Sequence, residues 1–356
     1  MVVQSSLSKG TISIALVHEA LSAAYAKGLN TQIILNKAGI PAELLMTPKA
    51  RVPVATYAQL WIELANAMDD EFFGMDSHPM RRGSYKLLTK LVSTAETLEK
   101  ALYDILKFFN FVLDDIRGEL IREQEKAYLV IHDQEQPKRM FTYATFLMLV
   151  HGLMCWLVDQ RISLNSIAVR CPKPNDIQDY LVRFCEDIQF NAETNQIEFD
   201  AHYLDIKIKK DKKALYDFLE QTPQNLLVRF KNENALSVVI RRHLLKLHPA
   251  EWPELKDVAQ QLNISEATVQ RRLKHEGVSY QQIKNEIRCD IAVQRLSKTN
   301  DSIQDISEDL NFHDPSAFHR AFKKWTGVSP GAYRDNLTTF KPVSSTPLTL
   351  PTKRIV

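Results

Sequence analysis

The sequence predicts an α+β domain followed by an all-α domain built on two helix-turn-helix units. Three observations carry that expectation. Apolar spacing, turn and glycine stop repeat between residues 255–279 and 303–329 at an offset of 48 to 50. The first two-thirds of the chain switches from helical to strand periodicity near residue 111 and back near 141. Helices and strands there are mostly segregated rather than alternating, which is the α+β order.

The front part opens with helical spacing at 17–27, stopped by Gly28, and again at 31–38, stopped by Gly39-Ile40-Pro41. Residues 53–68 place Tyr57, Leu60, Trp61 and Leu64 on one helical face. Residues 85–91 and 98–110 continue the helical pattern. Period-two alternation then takes over, and 111–116, 119–123 and 128–132 are predicted strands of a small antiparallel sheet. Residues 141–158 return to helix. They are apolar around nearly the whole circumference, so they belong in a core, an interface or a cavity wall. A β-rich segment at 166–170, a helix at 177–184 and a short strand at 196–199 follow. The charge run at 207–213 reads as solvated surface, 211–220 as a short helix and Thr222-Pro223-Gln224 as a hinge.

The second part starts with a helix at 235–247, carrying Leu236, Val239, Ile240, Leu244 and Leu247 at helical spacing. In the first repeat unit, a helix at 254–261 turns at Leu262-Asn263-Ile264. Ser265 is the N-cap of the next helix, because its hydroxyl can accept an otherwise unbonded amide of the first turn. Val269 and Leu273 face inward; Ala267, Thr268, Gln270, Arg271 and Lys274 are the outward candidates, and Gly277 is a left-handed stop. In the second unit, Ser302 caps 303–309 and Asn311-Phe312-His313 turns. Asp314 caps the next helix, with Pro315 at its first position. Phe318 and Phe322 face inward, and Ser316, His319, Arg320 and Lys323 face out. Val258, Leu262 and Ile264 stand opposite Ile306, Leu310 and Phe312 at an offset of 48, and Val269, Arg271 and Leu273 opposite Phe318, Arg320 and Phe322 at 49. An exposed second helix rich in donors suits the major groove of DNA. Residues 280–299 form one amphipathic helix between the units, a spacer matched to successive major grooves about 34 Å apart.

Bulk composition fits a two- or three-domain globular chain: 356 residues, 45% hydrophobic and 25% charged. Net charge is only +2, so affinity for a polyanion has to come from local placement of Arg and Lys. No apolar run is read as reaching a membrane span, and MVVQSSLSKG lacks a signal-peptide pattern. Cys155, Cys171, Cys185 and Cys289 have no metal-ligand spacing, and reduced, buried thiols in a bacterial cytoplasm are the simplest reading. No P-loop, HExxH, GxSxG or GxGxxG pattern occurs, which argues against an enzyme with an appended DNA-binding domain. A large apolar front part without basic bias argues against an effector-independent architectural binder. No catalytic residue, metal ligand or cofactor is assigned.

Residues 264–334 resemble the DNA-binding domain of the AraC/XylS family. The resemblance is carried by ISEATVQRRLKHEGVSYQQI and ISEDLNFHDPSAFHRAFKKWTGVSPGAYR, and most specifically by 318–330. The chain departs from the family pattern at Ser307 and Asn311, where Ala and Gly are usual, and at Ala267, a small residue where a base contact is frequent. Residues 15–210 resemble the arabinose-binding-like sensing and dimerisation domain of one branch. That match rests on the order of Gly-Leu-Asn (28–30), Ala-Gly-Ile-Pro (38–41), Ala-Arg-Val-Pro (50–53), Phe-Gly-Met (73–75) and Phe-Asp-Ala-His-Tyr-Leu (199–204). The resemblance implies a cytoplasmic transcriptional regulator, expected to activate. It further implies promoter DNA, RNA polymerase, a second copy of the chain and a small, largely apolar molecule as partners. The expected division is 1–222 for sensing and dimerisation, 223–340 for DNA binding and a disordered tail at 341–356. Arg81, Arg82, Phe146, His151 and Trp156 are the candidate effector contacts, combining an apolar wall with groups able to pair with an anionic head.

Overall fold

A computed structural model describes residues 11–47, 50–185, 187–227, 236–275, 278–326 and 328–338. The N-terminal segment, Gly277, Gly327 and the 341–356 tail lie outside these described residues. A two-stranded ribbon pairs β1 (Thr11–Ser13) antiparallel with β2 (Arg51–Pro53), enclosing α1 (Ile14–Ala26) and α2 (Thr31–Ala38). Ser13 Oγ accepts from the Ala15 amide at 3.2 Å to cap α1. Gly39 ends α2 at φ 72°, a conformation that favours glycine. Three helices follow: α3 (Val54–Met68), α4 (Ser84–Val92) and α5 (Leu98–Val112).

The main sheet is built from β3 (Ile116–Glu123), β4 (Lys126–Asp133), β5 (Leu164–Ala168), β6 (Ile188–Gln189) and β7 (Asn195–Asp200). Its order is β3-β4-β7-β5-β6, antiparallel except for the β5–β6 pair. Helix α6 (Met140–Leu157) crosses the core, and α7 (Gln178–Arg183), α8 (Lys212–Gln221) and α9 (Gln224–Leu227) close the domain. The α+β class read from the sequence is the class observed. The predicted strand at 111–116 is not formed, because Leu102, Ile105, Leu106 and Phe109 keep α5 buried on one face through Val112. Residues 119–123 belong instead to the longer β3. Strands β1, β2 and β6 escaped prediction because two or three residues are too few to show alternation.

Helix α6 requires a second correction. It is 18 residues long with mean hydropathy 1.5, so it does reach a span's length, yet 94% of it is buried inside the protein. It is a core helix, which explains why it is apolar on every face. Gly152 in its middle allows α9 to approach: a Cβ there would lie 2.6 Å from Leu226 Cδ2.

The second part comprises α10 (Leu236–Leu244), α11 (Leu255–Gln261), α12 (Glu266–His275), α13 (Tyr280–Lys298), α14 (Ile303–Asp309), α15 (Pro315–Thr326) and α16 (Pro330–Thr338). It has two cores. One gathers Leu236, Ile240, Val258, Val269, Leu273, Ile283 and Ile287; the other Ala292, Leu296, Ile306, Leu310, Phe318, Phe322 and Tyr333. Residues matched by the repeat therefore occupy matched places. Asn263 and Asn311 make the two turns at φ 53° and 57°, which asparagine tolerates better than most side chains. Ser307, where alanine is usual, is buried, and its hydroxyl has no partner.

His151, in the middle of α6, is fully enclosed and donates from Nε2 to the Ile162 carbonyl at 2.8 Å. Burial, then the Arg183 charge, pushes its pKa from 6.5 down to about 3. The unfolded chain therefore takes up this proton first, and stability is lost as pH falls from 6.5 towards about 3. The stability difference between wild type and His151→Gln, followed by urea unfolding, should change by about 1.4 kcal/mol per pH unit between about pH 6 and 4.5. A pH-independent difference would show that His151 is charged in the folded protein.

Candidate nucleic-acid interface

Helices α12 and α15 each bury one face and present the other to solvent. Ser265 Oγ accepts from the Thr268 amide at 3.2 Å, and Asp314 Oδ1 from the Ala317 amide at 2.7 Å, so each helix starts at the cap the sequence predicts. Val269 and Leu273 anchor α12, and Phe318 and Phe322 anchor α15. Each such burial contributes about 1.5–3 kcal/mol, enough to fix the rotation of a short helix. That rotation leaves Ala267, Gln270, Arg271 and Lys274 exposed on α12, with Thr268 half-buried. On α15 it leaves Ser316, Arg320 and Lys323 exposed, with His319 half-buried and edge-on to the Phe318 ring at 6.4 Å. The nine side chains thus form two separate groups, one per helix. Arg272, which the sequence reading passed over, is also exposed on α12.

The charges of the supporting scaffold are spent internally. Arg241 on α10 is buried against Asp290, which it contacts through Nη2, and Glu286 at 3.1 Å, both on α13. Arg295 pairs with Asp301 at 2.7 Å and Asp309 at 2.5 Å. Among the described residues, Arg271, Lys274, Arg320 and Lys323 pair with no carboxylate. A guanidinium so placed can donate two parallel bonds to a guanine edge, and an ammonium can neutralise a phosphate.

Helix α13 holds the two groups apart. Its first half packs Tyr280, Ile283 and Ile287 into one core, its second half Ala292, Val293 and Leu296 into the other. Arg288 sits between them, over the Trp252 ring at 5.1 Å and the Phe312 ring at 5.4 Å, and donates to the Leu310 carbonyl at 3.0 Å.

The residues expected to contact an effector do not converge. Arg81 and Arg82 are exposed ahead of α4, and Arg82 pairs at 3.3 Å with Glu71, whose carboxylate also accepts from the Gly83 and Tyr85 amides at 2.8 Å. Phe146 is core, edge-on to Phe109 at 5.1 Å. His151 is neutral and committed to a backbone carbonyl. Trp156 stacks on Phe218 at 4.4 Å. A cavity does use α6, but through Phe141, Ala144, Thr145 and Met148, together with β1, α3 and α7. Helical spacing identified the wall but not which face lines it, because α6 is apolar on all faces.

Two helix-turn-helix units on one helix, behind an α+β domain, define a DNA-binding regulator. Residues 28–208 match the model of the arabinose-binding domain of AraC transcription regulators, and residues 258–336 that of a helix-turn-helix domain. The chain belongs to the AraC family of transcriptional regulators. It is 26% identical over 318 residues to the ornithine utilization regulator of Pseudomonas aeruginosa, spanning 86% of this chain and 91% of that one. The virulence regulon transcriptional activator VirF of Shigella flexneri is 34% identical over 91 residues, spanning 26% of this chain and 34% of that one. Among solved structures, the transcriptional regulator CdpR of Pseudomonas aeruginosa aligns with 94% of this chain and all of its own, at 18% identity and a TM-score of 0.30.

Arg271→Ala and Arg320→Ala should each weaken specific DNA binding by about 1–3 kcal/mol and relax preference at one base position, with the fold intact by circular dichroism. Ala267→Gly should cost far less. Wild-type affinity for both arginine variants in a footprinting titration would remove these helices as the readers.

Proposed function

We propose that the chain is a cytoplasmic homodimer that activates transcription in response to a small molecule held in its N-terminal domain. Residues 1–222 are assigned to sensing and dimerisation and 223–340 to DNA binding. Leu226 and Leu227, just past that division, pack into the N-terminal core. On promoter DNA, Ala267, Thr268, Gln270, Arg271 and Lys274 enter one major groove, and Ser316, His319, Arg320 and Lys323 the next. RNA polymerase is the partner of an activator bound beside it. The observation that carries this reading is the pair of exposed faces held by one continuous helix, α13. Activation is supported by the relative named as an activator, and control by a metabolite by the relative named for ornithine utilisation.

The test is a footprint of the full chain on the DNA upstream of its own gene, with a sequence-scrambled competitor. Protection at two positions about one helical turn apart, on one DNA face, is expected. Equal competition by scrambled DNA would mark an architectural binder and contradict the proposal.

A further inference from the structure

Where β1, α1, α3, α6 and α7 meet, the N-terminal domain holds a cavity of about 110 Å³. Four aromatic rings line it, those of Tyr57, Phe141, Tyr180 and Phe184, together with Leu16 and Met148. Two charged residues also border it, and neither offers a free charge. Asp179 accepts from Arg51 Nη2 at 2.5 Å and from the Ser13 amide at 2.7 Å, so its charge is opposed within the protein. Arg183 donates from Nη2 to the Leu226 carbonyl at 2.9 Å, and its Nε and Nη1 are sealed from any water-sized space.

Most of the wall's hydroxyls are spent in the same way. Thr145 Oγ1 donates to the Phe141 carbonyl at 2.8 Å, Tyr57 Oη donates to the Leu16 carbonyl at 3.2 Å, and Thr11 Oγ1 accepts from Arg51 Nε at 2.8 Å. Tyr180 is the exception. It is 5% exposed, yet its hydroxyl has no hydrogen-bond partner among the described residues. Buried polar groups in folded proteins are nearly always bonded. A water-sized space lies beside this oxygen, in contrast to the sealed Arg183 nitrogens. Burial, then the neighbouring Tyr57, raises its pKa far above neutrality, so it remains an uncharged O–H donor.

These features specify a complement. An ion entering the cavity would shed its water against rings and side chains with no open counter-charge, which disfavours carboxylates, ammonium groups and phosphate. A pure hydrocarbon would leave the Tyr180 hydroxyl unbonded. A cavity of roughly 150 Å³ holds benzene, so this one suits about four to six non-hydrogen atoms. We infer that the cavity binds a small uncharged molecule of the short-ketone type, whose one oxygen accepts from Tyr180 Oη and whose hydrocarbon part lies against Phe141, Phe184 and Met148. The site deepens the reading of the N-terminal domain as a sensor and rests on it. Thr11 borders both this cavity and the crevice of about 650 Å³ that β1 shares with α13 and α15, so the site adjoins the DNA-binding half.

The test is a saturation-transfer NMR titration of the full chain with cyclopentanone, 2-butanone, butyrate, butylammonium and ornithine. The two ketones should bind and displace one another, and the three ions should bind at least about tenfold more weakly. Tyr180→Phe should weaken both ketones about three- to tenfold, the loss of one hydrogen bond. Its unliganded melting temperature should not change, because that hydroxyl bonds nothing in the protein. A tyrosine with a purely structural role would instead lower the melting temperature and leave ketone affinity alone. Ala144→Leu, which fills the chamber and keeps Tyr180, should abolish ketone binding. No transfer to either ketone, equal binding of butyrate or butylammonium, or wild-type affinity in Tyr180→Phe or Ala144→Leu would overturn the site. Specific DNA binding by the same preparation separates the outcomes: its survival confines the failure to this site, and its loss strikes the regulator reading on which the site depends.

Discussion

Helix α13 is the constraint on which the DNA-binding half depends. It belongs to two hydrophobic cores at once, giving Ile283 and Ile287 to one and Ala292 and Leu296 to the other. Nineteen helical residues span about 28 Å, so neither core can move along the axis without dragging its partner. Polar interactions reinforce the same element. The Arg241–Asp290 pair ties α10 to it in a buried setting, where losing one partner would strand a charge. Arg288 between Trp252 and Phe312 ties it to both units. With α13 fixed, Val269 and Leu273 set the rotation of α12, and Phe318 and Phe322 that of α15. Those anchors decide which side chains remain for DNA.

The N-terminal half is organised around a different helix. α6 is enclosed on nearly every side. The β1–β2 ribbon lies beside it, latched by Arg51 to Asp179 and by the Ser13 amide to the same carboxylate. Thr11 stands in both the cavity wall and the crevice facing α13 and α15. The cavity and the second helix-turn-helix unit therefore meet at one short ribbon. A ligand biases regulation only through unequal affinity for two arrangements of such an element.

Much of this was legible in the residues. The offset repeat located both reading helices, their caps and their turns, because a helix-turn-helix needs particular residue types at fixed spacing. Asn311 in place of the usual glycine was readable in advance, since both accept positive φ. How the candidate effector residues are arranged was not legible. Arg81 and Arg82 stood out as adjacent charges, yet Glu71, eleven residues before Arg82, engages it at 3.3 Å. The burial of His151 was equally unreadable, because nothing local distinguishes a surface histidine from one that the fold encloses. The ribbon strands were too short to register, and α16, running from Pro330 to Thr338, went unread although Ser329 before it stands 50 residues after Ser279, the cap of α13.

The spacing between α12 and α15 is as rigid as the helix that joins their cores. The most direct measurement is the affinity of the full chain for its footprinted site against the same site with about 5 base pairs, half a helical turn, inserted between the two protected segments. A rigid α13 predicts that affinity falls at least about tenfold and that one of the two segments loses protection, since the second groove has rotated to the far side of the duplex. Equal affinity with both segments still protected would mean that the two units move independently, and would contradict the account.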